Sequence, residues 1–405
     1  MEQESKWSRV SALRPVAHGA PAPRTRPAGR LLELLDGELR SNHLGNHVVV
    51  LRRFEEPRIP TISPDALRLI SPRVDSDVLD PRRWLFLDTE TTGLAGGTGT
   101  YAFLVGVARW EDDSFVVEQF FMRDHGEERS MLAALATRLA GHGVIVTFNG
   151  KSFDWPLLET RYRVTRAAVL RSPMVHLDLL YPARQLWRLS LRSVALCELE
   201  RHVLALERGH DIPAETIPGR YFDYLRAGPA EPIVEVFRHN QMDLCGLAAL
   251  ATNIASILES PHQNLGAGEL FGISRMLQRN GDSSRAGLLY ERALAHGLPE
   301  EAGRVARREL ACMARRGRDF ERANALWEEL LGDSADGLDA YEQLAIHYEH
   351  RARQFERATS ITREALVRLQ EAYAARRISP QAYRARHAAL QHRLSRVLGK
   401  QESDC

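Results

Sequence analysis

The sequence predicts an α/β domain, with a mixed β-sheet and flanking helices, followed by an all-α domain of helix pairs. Between about residues 83 and 260, the patterns follow in the order strand, strand, strand, helix, strand, helix, strand, which is typical of a layered α/β fold. After about residue 264 the strand patterns stop, and small and aromatic residues recur at helical spacing. The length of 405 residues and the 44 % hydrophobic content fit a globular protein of two or three domains.

The net charge of the chain is only +1, from 54 Lys and Arg against 53 Asp and Glu, so total charge does not indicate a nucleic-acid partner. A local basic groove can still supply that attraction. The four cysteines form no CxxC pair, which argues against zinc binding and a disulfide framework. No apolar run approaches the ~20 residues needed to span a membrane, and the N-terminus lacks the apolar core of a signal peptide. We therefore expect a cytoplasmic protein without a membrane partner.

The elements of the α/β part can be predicted one by one. Its first three strands follow one another through short turns, which predicts an antiparallel meander. The predicted strands are Trp84–Asp88, Tyr101–Trp110, Ser114–Met122, Val144–Phe148 and Val175–Leu179, and the predicted helices are Glu127–Ala140, one from near Ser152, Tyr181–Trp187, Leu191–Leu199 and Ile233–Leu258.

Three segments divide the chain in this interpretation. Residues 1–75 form an N-terminal arm and connector, partly disordered, with a short helix at Leu31–Leu39 and an early strand at His47–Phe54. Residues 76–260 form the α/β domain, and residues 261–400 form the helical domain.

Internal repetition predicts how the helical domain is built. Three alanines, Ala286, Ala323 and Ala358, are 37 and 35 residues apart, and similar DFERA and QFERA phrases surround the last two. This period is close to the ~34 residues of tetratricopeptide repeats. Three helix pairs that stack into a short superhelix are the expected result, with an irregular helical bundle as the alternative.

Two acids end the first strand of the α/β domain. Asp88 and Glu90 are two residues apart, so on a strand their carboxylates lie on the same face and can bracket one cation. A strand that ends in two acids is costly unless a metal or solvent receives the charge. A pair of this kind is a weak signal alone, because many such pairs lie in solvated turns.

Three further residues complete a candidate set. Asp154 follows the Asn149-Gly150 turn and falls in the first turn of a helix, where a carboxylate also complements the helix dipole. His239 and Asp243 are four residues apart on a long helix and therefore share a face. Either position alone would be explained as an ordinary helix acid or surface pair.

The set as a whole points to metal chemistry. Asp88, Glu90, Asp154 and Asp243 are hard oxygen ligands, which suit Mg²⁺ or Mn²⁺. Two such ions ~3.5–4 Å apart can activate a water molecule and stabilise the leaving oxygen of a phosphodiester. His239 would then take a proton from the attacking water as the general base.

From about Trp84 to Leu258 the sequence resembles the DEDD exonuclease superfamily, whose domains are ribonuclease H-like, and in particular its YprB-like branch. Asp88 and Glu90 match the first motif, Asp154 the second and Asp243 the third. Other phrases that resemble this branch are residues 93–100, 149–154, 176–180, 211–213 and 239–243. The repeat tail also resembles members of the branch. The resemblance implies a two-metal hydrolase that removes nucleotides from a 3′ end of DNA or RNA.

One position departs from the superfamily pattern. The His-type enzymes place four residues between the histidine and the last aspartate, and the Tyr-type place three between the tyrosine and that aspartate. This chain has a histidine, His239, with three residues before Asp243. The role of His239 as general base is therefore a hypothesis supported by position but not by spacing.

Two other functions remain open at the level of sequence. The first is a binding platform with little catalysis, although such a platform would not need four acids. The second is a phosphodiesterase for short oligonucleotides. The helical repeats further predict a protein partner, such as a helicase, because repeat domains bind peptides or proteins on a concave surface.

Overall fold

The computed structural model describes residues 29–72, 80–93, 99–169, 175–261, 265–331 and 338–404. The strands are β1 Glu38–Asn42, β2 Gly45–Phe54, β3 Trp84–Thr91, β4 Ala102–Glu111, β5 Ser114–Phe121, β6 Val144–Thr147 and β7 Val175–Asp178. Most of the predicted N-terminal arm, and most of the glycine-rich stretch at residues 93–100, lie outside the described residues.

The strands form one mixed sheet in the order β1-β2-β5-β4-β3-β6-β7. Strands β3, β4 and β5 form the predicted antiparallel meander, while β6 and β7 are parallel to β3. β3 therefore lies where the antiparallel and parallel halves meet, and it continues to Thr91, so both acids lie inside the strand. The predicted α/β class with a mixed sheet is confirmed.

The N-terminal segment contributes more to the sheet than the sequence indicated. β2 contains the predicted early strand at His47–Phe54, and β1 and β2 together extend the sheet beyond β5, although residues 1–75 were otherwise expected to be an arm and connector. The pairing of β2 with β5 joins residues far apart in sequence and leaves no local signal, and β1, which forms a hairpin with β2, is largely exposed. A short helix at Pro64–Ile70, capped by the Ser63 hydroxyl, also interrupts the expected connector.

Helices cover both faces of the sheet. Those of the α/β part are α1 Gly29–Leu35, α2 Pro64–Ile70, α3 Glu128–Ala140, α4 Asp154–Thr165, α5 Leu180–Trp187, α6 Leu196–His202, α7 Ile217–Leu225 and α8 Glu231–Glu259. Alternate residues of β3 enter two different cores. Trp84 and Phe86 belong to the core shared with α2, α5 and the second half of α8, and Leu85 and Leu87 to the core shared with α3, α4 and α7.

Helix α8 changes from one core to the other along its length. Its residues up to Phe237 pack in the second core, and those from Leu244 onward pack in the first. The helix is long and apolar enough by composition to cross a membrane, which the sequence had not indicated, but half of its most apolar stretch is buried inside the protein. Its contacts with β3, β4 and β5 identify it as a core helix of this fold.

The helical part contains the three expected helix pairs and a last long helix. The pairs are α9 Ala267–Arg279 with α10 Ser283–Ala295, α11 Glu300–Arg316 with α12 Phe320–Glu329, and α13 Leu338–His350 with α14 Phe355–Ala374; α15 is Pro380–Asp404. The three repeat alanines lie on the second helix of each pair and are at most 2 % exposed, which is the packing that the repeat predicts.

The first pair packs directly on the α/β domain. Trp187 of α5 donates a hydrogen bond to Glu269 of α9 at 2.9 Å, and a Cβ at Gly272 would lie only 2.1 Å from the carbonyl oxygen of Gln185. The two helices therefore touch through backbone, which requires a glycine. Buried residues of α9, α10 and α11 belong to the first core of the sheet.

Candidate metal centre and active site

Asp88 and Glu90 lie on the face of the sheet that α8 covers. Asp88 has the same parity along β3 as Phe86, and its Oδ2 accepts a hydrogen bond of 2.7 Å from Asn240 of α8. Glu90 is 8 % exposed. The crossing of α8 over the end of β3 thus brings the first motif against residues 239–243.

A polar network behind Asp88 fixes Asn240. Gln119 of β5 donates to the Asn240 side-chain oxygen at 2.9 Å and to the Phe237 carbonyl at 2.8 Å. Gly106 of β4 lies between Asp88 and Gln119 in the sheet register, and a Cβ there would lie 2.1 Å from the Asn240 oxygen. The missing side chain of Gly106 is therefore what admits Asn240 to Asp88.

Asp154 reaches the same strand end from the opposite face. It is the first residue of α4, and its Oδ1 accepts a hydrogen bond of 2.6 Å from the hydroxyl of Thr89, the residue between the two acids. The preceding turn has Asn149 at φ 65°, a left-handed conformation that asparagine tolerates. The turn and Thr89 together orient the second-motif acid.

Two neighbouring residues, Asp178 and His176, have structural roles. Asp178 accepts backbone hydrogen bonds from Asn149, Lys151 and Leu180 at 2.8, 3.1 and 3.1 Å, so it holds the turn before α4. His176 bonds to the Thr147 hydroxyl at 2.8 Å. Burial, followed by the charge of Lys151, lowers the pKa of His176 to about 4, so it stays neutral.

Glu90, His239 and Asp243 form a compact group. One candidate ligand atom from each lies within 4.8 Å of the others. His239 Nε2 is 3.4 Å from Asp243 Oδ2, while its Nδ1 is 2.7 Å from Asp211 Oδ1. A carboxylate only accepts, so Nδ1 carries a proton. The other ring nitrogen, Nε2, faces Asp243 Oδ2.

Arg208 neutralises the acids on the outer side of this group. Its guanidinium bonds to both carboxylate oxygens of Glu200, to Asp211 at 3.0 Å and to Oδ1 of Asp243. The Arg208 side chain is only 13 % exposed. Arg208 thus holds one oxygen of Asp243 and leaves the other near His239.

The pKa values reflect this crowding of carboxylates. Burial, then the charges of Asp243 and Asp154, raise the pKa of Asp88 well above its usual range. Burial, then Asp88, do the same for Glu90, and burial raises the pKa of Asp154 to about 6. The ionised site is therefore strained in the absence of a cation.

Asp211 shows the opposite shift. Burial alone would raise its pKa, but hydrogen bonds from His239 and Arg208 outweigh that effect and lower it. Asp211 is thus the ionised partner that orients His239.

The donor set fits a divalent metal ion. Carboxylate oxygens and a single imidazole suit Mg²⁺ or Mn²⁺, and acids with raised pKa values gain most from a nearby cation. Asp88, Glu90, Asp154 and Asp243 are the residues that would hold it. His239 is either a further ligand, as its place in the compact group allows, or a base beside the ion.

Exposed side chains flank the second-motif acid. Phe153 is 53 % and Tyr181 is 50 % exposed, and the Lys151 ammonium lies 5.8 Å from the centre of the Tyr181 ring. Trp155, by contrast, is buried and donates to Glu159 at 3.2 Å. Of the two aromatic residues beside Asp154, Phe153 is therefore the one available to a ligand.

Sequence reasoning brought the four acids and His239 to one place but missed their supports. Asn240 and Asp211 stand inside phrases that resemble the YprB-like branch, which was a usable signal. Thr89, Gly106 and Arg208 gave no signal, because their roles depend on which elements meet.

Comparisons with known proteins agree with this architecture. A family model described as the RNase_H superfamily matches residues 85–255, the region from β3 to α8. The uncharacterized protein YprB of Bacillus subtilis (strain 168) is 30 % identical over 285 residues, which are 69 % of this chain and 68 % of that protein. The chain therefore belongs to the RNase H superfamily, in the family of YprB.

Proposed function

We propose that the protein is a metal-dependent 3′–5′ exonuclease of the DEDD type, acting on DNA or RNA. Membership of the RNase H superfamily implies a nuclease and a nucleic-acid substrate. The observation that carries the proposal further is the convergence of Asp88, Glu90, Asp154 and Asp243 at the end of β3, with raised pKa values for the first three.

The residues have distinct tasks in this proposal. The four acids bind the metal, which when bound supplies Lewis-acid activation of water and stabilises charge on the leaving oxygen. His239 holds its Nδ1 proton toward Asp211, so Nε2 is the nitrogen that takes a proton from water. Phe153 stacks with the terminal base, and Lys151 lies beside it to meet a phosphate.

The test is cleavage of 5′-labelled single-stranded DNA and RNA with Mg²⁺, Mn²⁺ or EDTA, with Asp88→Ala as a control. A ladder of shortening products that requires metal and disappears in the variant supports a 3′ exonuclease. Cleavage confined to very short oligonucleotides would indicate the phosphodiesterase alternative. No cleavage of any substrate would contradict the proposal and favour a binding platform.

His239 needs its own variant, because its spacing departs from the superfamily pattern. We expect His239→Ala to lower the rate of hydrolysis by 10²–10⁴-fold, the contribution typical of a general base, with Mn²⁺ affinity largely kept. A variant with full activity would eliminate His239 as the base. A large loss of Mn²⁺ affinity would make it a ligand instead.

A further inference from the structure

A cavity in the helical domain carries an excess of positive charge. It lies between α11, α12 and α13, has a volume of about 420 Å³ and includes three arginines, Arg315, Arg318 and Arg351, in its lining. Among the described residues no Asp or Glu lines it.

The arginines of this cavity lack acidic partners in the part of the chain that the structure describes. Arg315 bonds to the neutral Gln343 side chain. Arg351 is stacked 3.4 Å from the centre of the Phe320 ring, which holds its guanidinium in place without neutralising it. The three cavity arginines are exposed, whereas a buried arginine such as Arg161 is paired with the carboxylate of Glu128.

Two buried nitrogens in the lining are a second, independent observation. Among the described residues, Trp327 Nε1 and His347 Nδ1 have no hydrogen-bond partner, and Trp327 is only 2 % exposed. Burial, followed by the charge of Arg351, lowers the pKa of His347, so the ring is a neutral group with one N–H. A buried donor without an acceptor is costly, and native proteins rarely leave one.

We propose that this cavity binds a backbone phosphate of the nucleic-acid strand, as a second contact remote from the metal centre. Guanidinium groups match a phosphate through parallel hydrogen bonds. A phosphate oxygen would also supply the acceptor that Trp327 Nε1 lacks, and that His347 Nδ1 lacks in the tautomer with its proton on Nδ1. Because these two nitrogens are buried, side chains of the lining must shift to admit the oxygen. The choice of nucleic acid over an acidic peptide rests on the proposed function, because the substrate of a nuclease is itself a polyanion.

The test measures binding of a labelled long single-stranded DNA or RNA to the full-length protein in EDTA. An Asp88→Asn background prevents cleavage. We expect Arg318→Gln with Arg351→Gln to weaken binding by about ten-fold at ~0.1 M salt and to flatten its salt dependence, since each lost phosphate contact lowers the salt slope by roughly one. The matched control is Arg363→Gln with Arg377→Gln, which removes two exposed arginines of the same domain away from the cavity and should leave binding nearly unchanged.

Each outcome decides the proposal. Equal binding by both double variants overturns it. A loss of binding to a poly-glutamate probe, with nucleic-acid binding intact, also overturns it and makes the cavity a peptide site. Because the measurement needs neither metal nor cleavage, a failure of the nuclease proposal would not affect it. Conversely, the Arg318 and Arg351 variant with an intact Asp88 should still cleave a short substrate at the normal rate.

Discussion

Two regions of the molecule carry an excess of charge, with opposite signs. They are the metal centre at the end of β3 and the arginine cavity between α11, α12 and α13. The first gathers carboxylates whose pKa values are raised by burial and by one another, and the second gathers arginines with no carboxylate in the described lining. In a third cluster the buried charge is paired: Glu349 of α13 is bonded by Arg393, Arg396 and Lys400 of α15.

Some charged clusters of this protein stabilise the fold, and others are left without a partner and can bind a ligand. Burying a charge is costly unless it is paired, so a paired cluster such as that of Glu349 stabilises the position of α15. The unpaired buried carboxylates of the metal centre lower stability until a cation binds. The arginines of the cavity are exposed, so they carry no such cost and are simply left without a partner of opposite charge.

The largest effect is expected at Asp88. Asp88→Asn keeps an acceptor for Asn240 but removes a charge from the crowded site. We expect hydrolysis to fall on the order of 10³-fold, because metal binding supplies several kcal/mol of transition-state stabilisation. The metal-free protein should melt at a higher temperature, by roughly a few degrees.

Single-turnover cleavage and thermal melting in EDTA measure the two effects of Asp88→Asn. The control is Asp223→Asn, because the Asp223 side chain is 71 % exposed and its replacement should change neither quantity. A lower melting temperature for Asp88→Asn in EDTA would show that the Asp88 charge stabilises the metal-free protein, which contradicts the expected destabilisation.

Arg208 supplies the positive charge that compensates the acids beside the metal centre. Arg208→Gln leaves Glu200, Asp211 and Asp243 without their shared cation, and breaking a buried pair costs roughly 3–5 kcal/mol. We expect Mn²⁺ to recover part of this loss, because a bound cation compensates Asp243. The measurement is thermal melting in EDTA and in Mn²⁺.

The matched control for Arg208 is Arg226→Gln. The Arg226 side chain is 76 % exposed, 3.7 Å from Asp223, and a surface pair of that kind contributes at most about 1 kcal/mol. If Arg208→Gln loses the same stability with and without Mn²⁺, Arg208 stabilises the fold independently of the metal, as the cations around Glu349 do.

The variant Glu349→Gln removes the buried charge that Arg393, Arg396 and Lys400 pair. Burial alone would raise the pKa of Glu349, but hydrogen bonds from Arg396 and Lys400 outweigh it and lower the pKa to about 2. Replacement should destabilise the protein by roughly 2–4 kcal/mol, toward the low end for buried pairs because its partners stay partly solvated. Chemical denaturation measures this change, and cleavage by the folded variant should stay normal. A neutral or stabilising effect would show that pairing does not distinguish the clusters.

The smallest effect is the pH dependence at Asp154, whose pKa is raised to about 6. A proton and a metal compete for this carboxylate, so Mn²⁺ affinity should fall as the pH drops below about 6. The stability of the metal-free protein changes in the opposite direction. It decreases as the pH rises from about 4 to 6, because in that window the carboxyl group of Asp154 ionises readily only in the unfolded chain.

Titration of Mn²⁺ by calorimetry across this pH range measures the competition, and Asp154→Asn is the reference. A Mn²⁺ affinity that stays constant between about pH 5 and 7.5 would show that Asp154 does not bind the ion.

Local sequence determined much of this protein. Apolar runs separated by turn residues predicted β3 to β7 within a few positions, and the spacing of Ala286, Ala323 and Ala358 predicted three helix pairs. Asp88 and Glu90, two apart on a strand, had to share a face. These features depend only on neighbours in sequence, and the ordered motifs also identified the family.

Tertiary structure alone decided what surrounds those residues. β1 and β2 joined the sheet through distant pairing, and α8 crossed from one core to the other at the point where His239 and Asp243 lie. The supports from Thr89, Gly106 and Arg208, and the cavity of the helical domain, exist only because separate elements meet. A sequence records which charges are present, whereas the fold decides which of them are compensated, because compensation depends on distance and burial rather than on order along the chain.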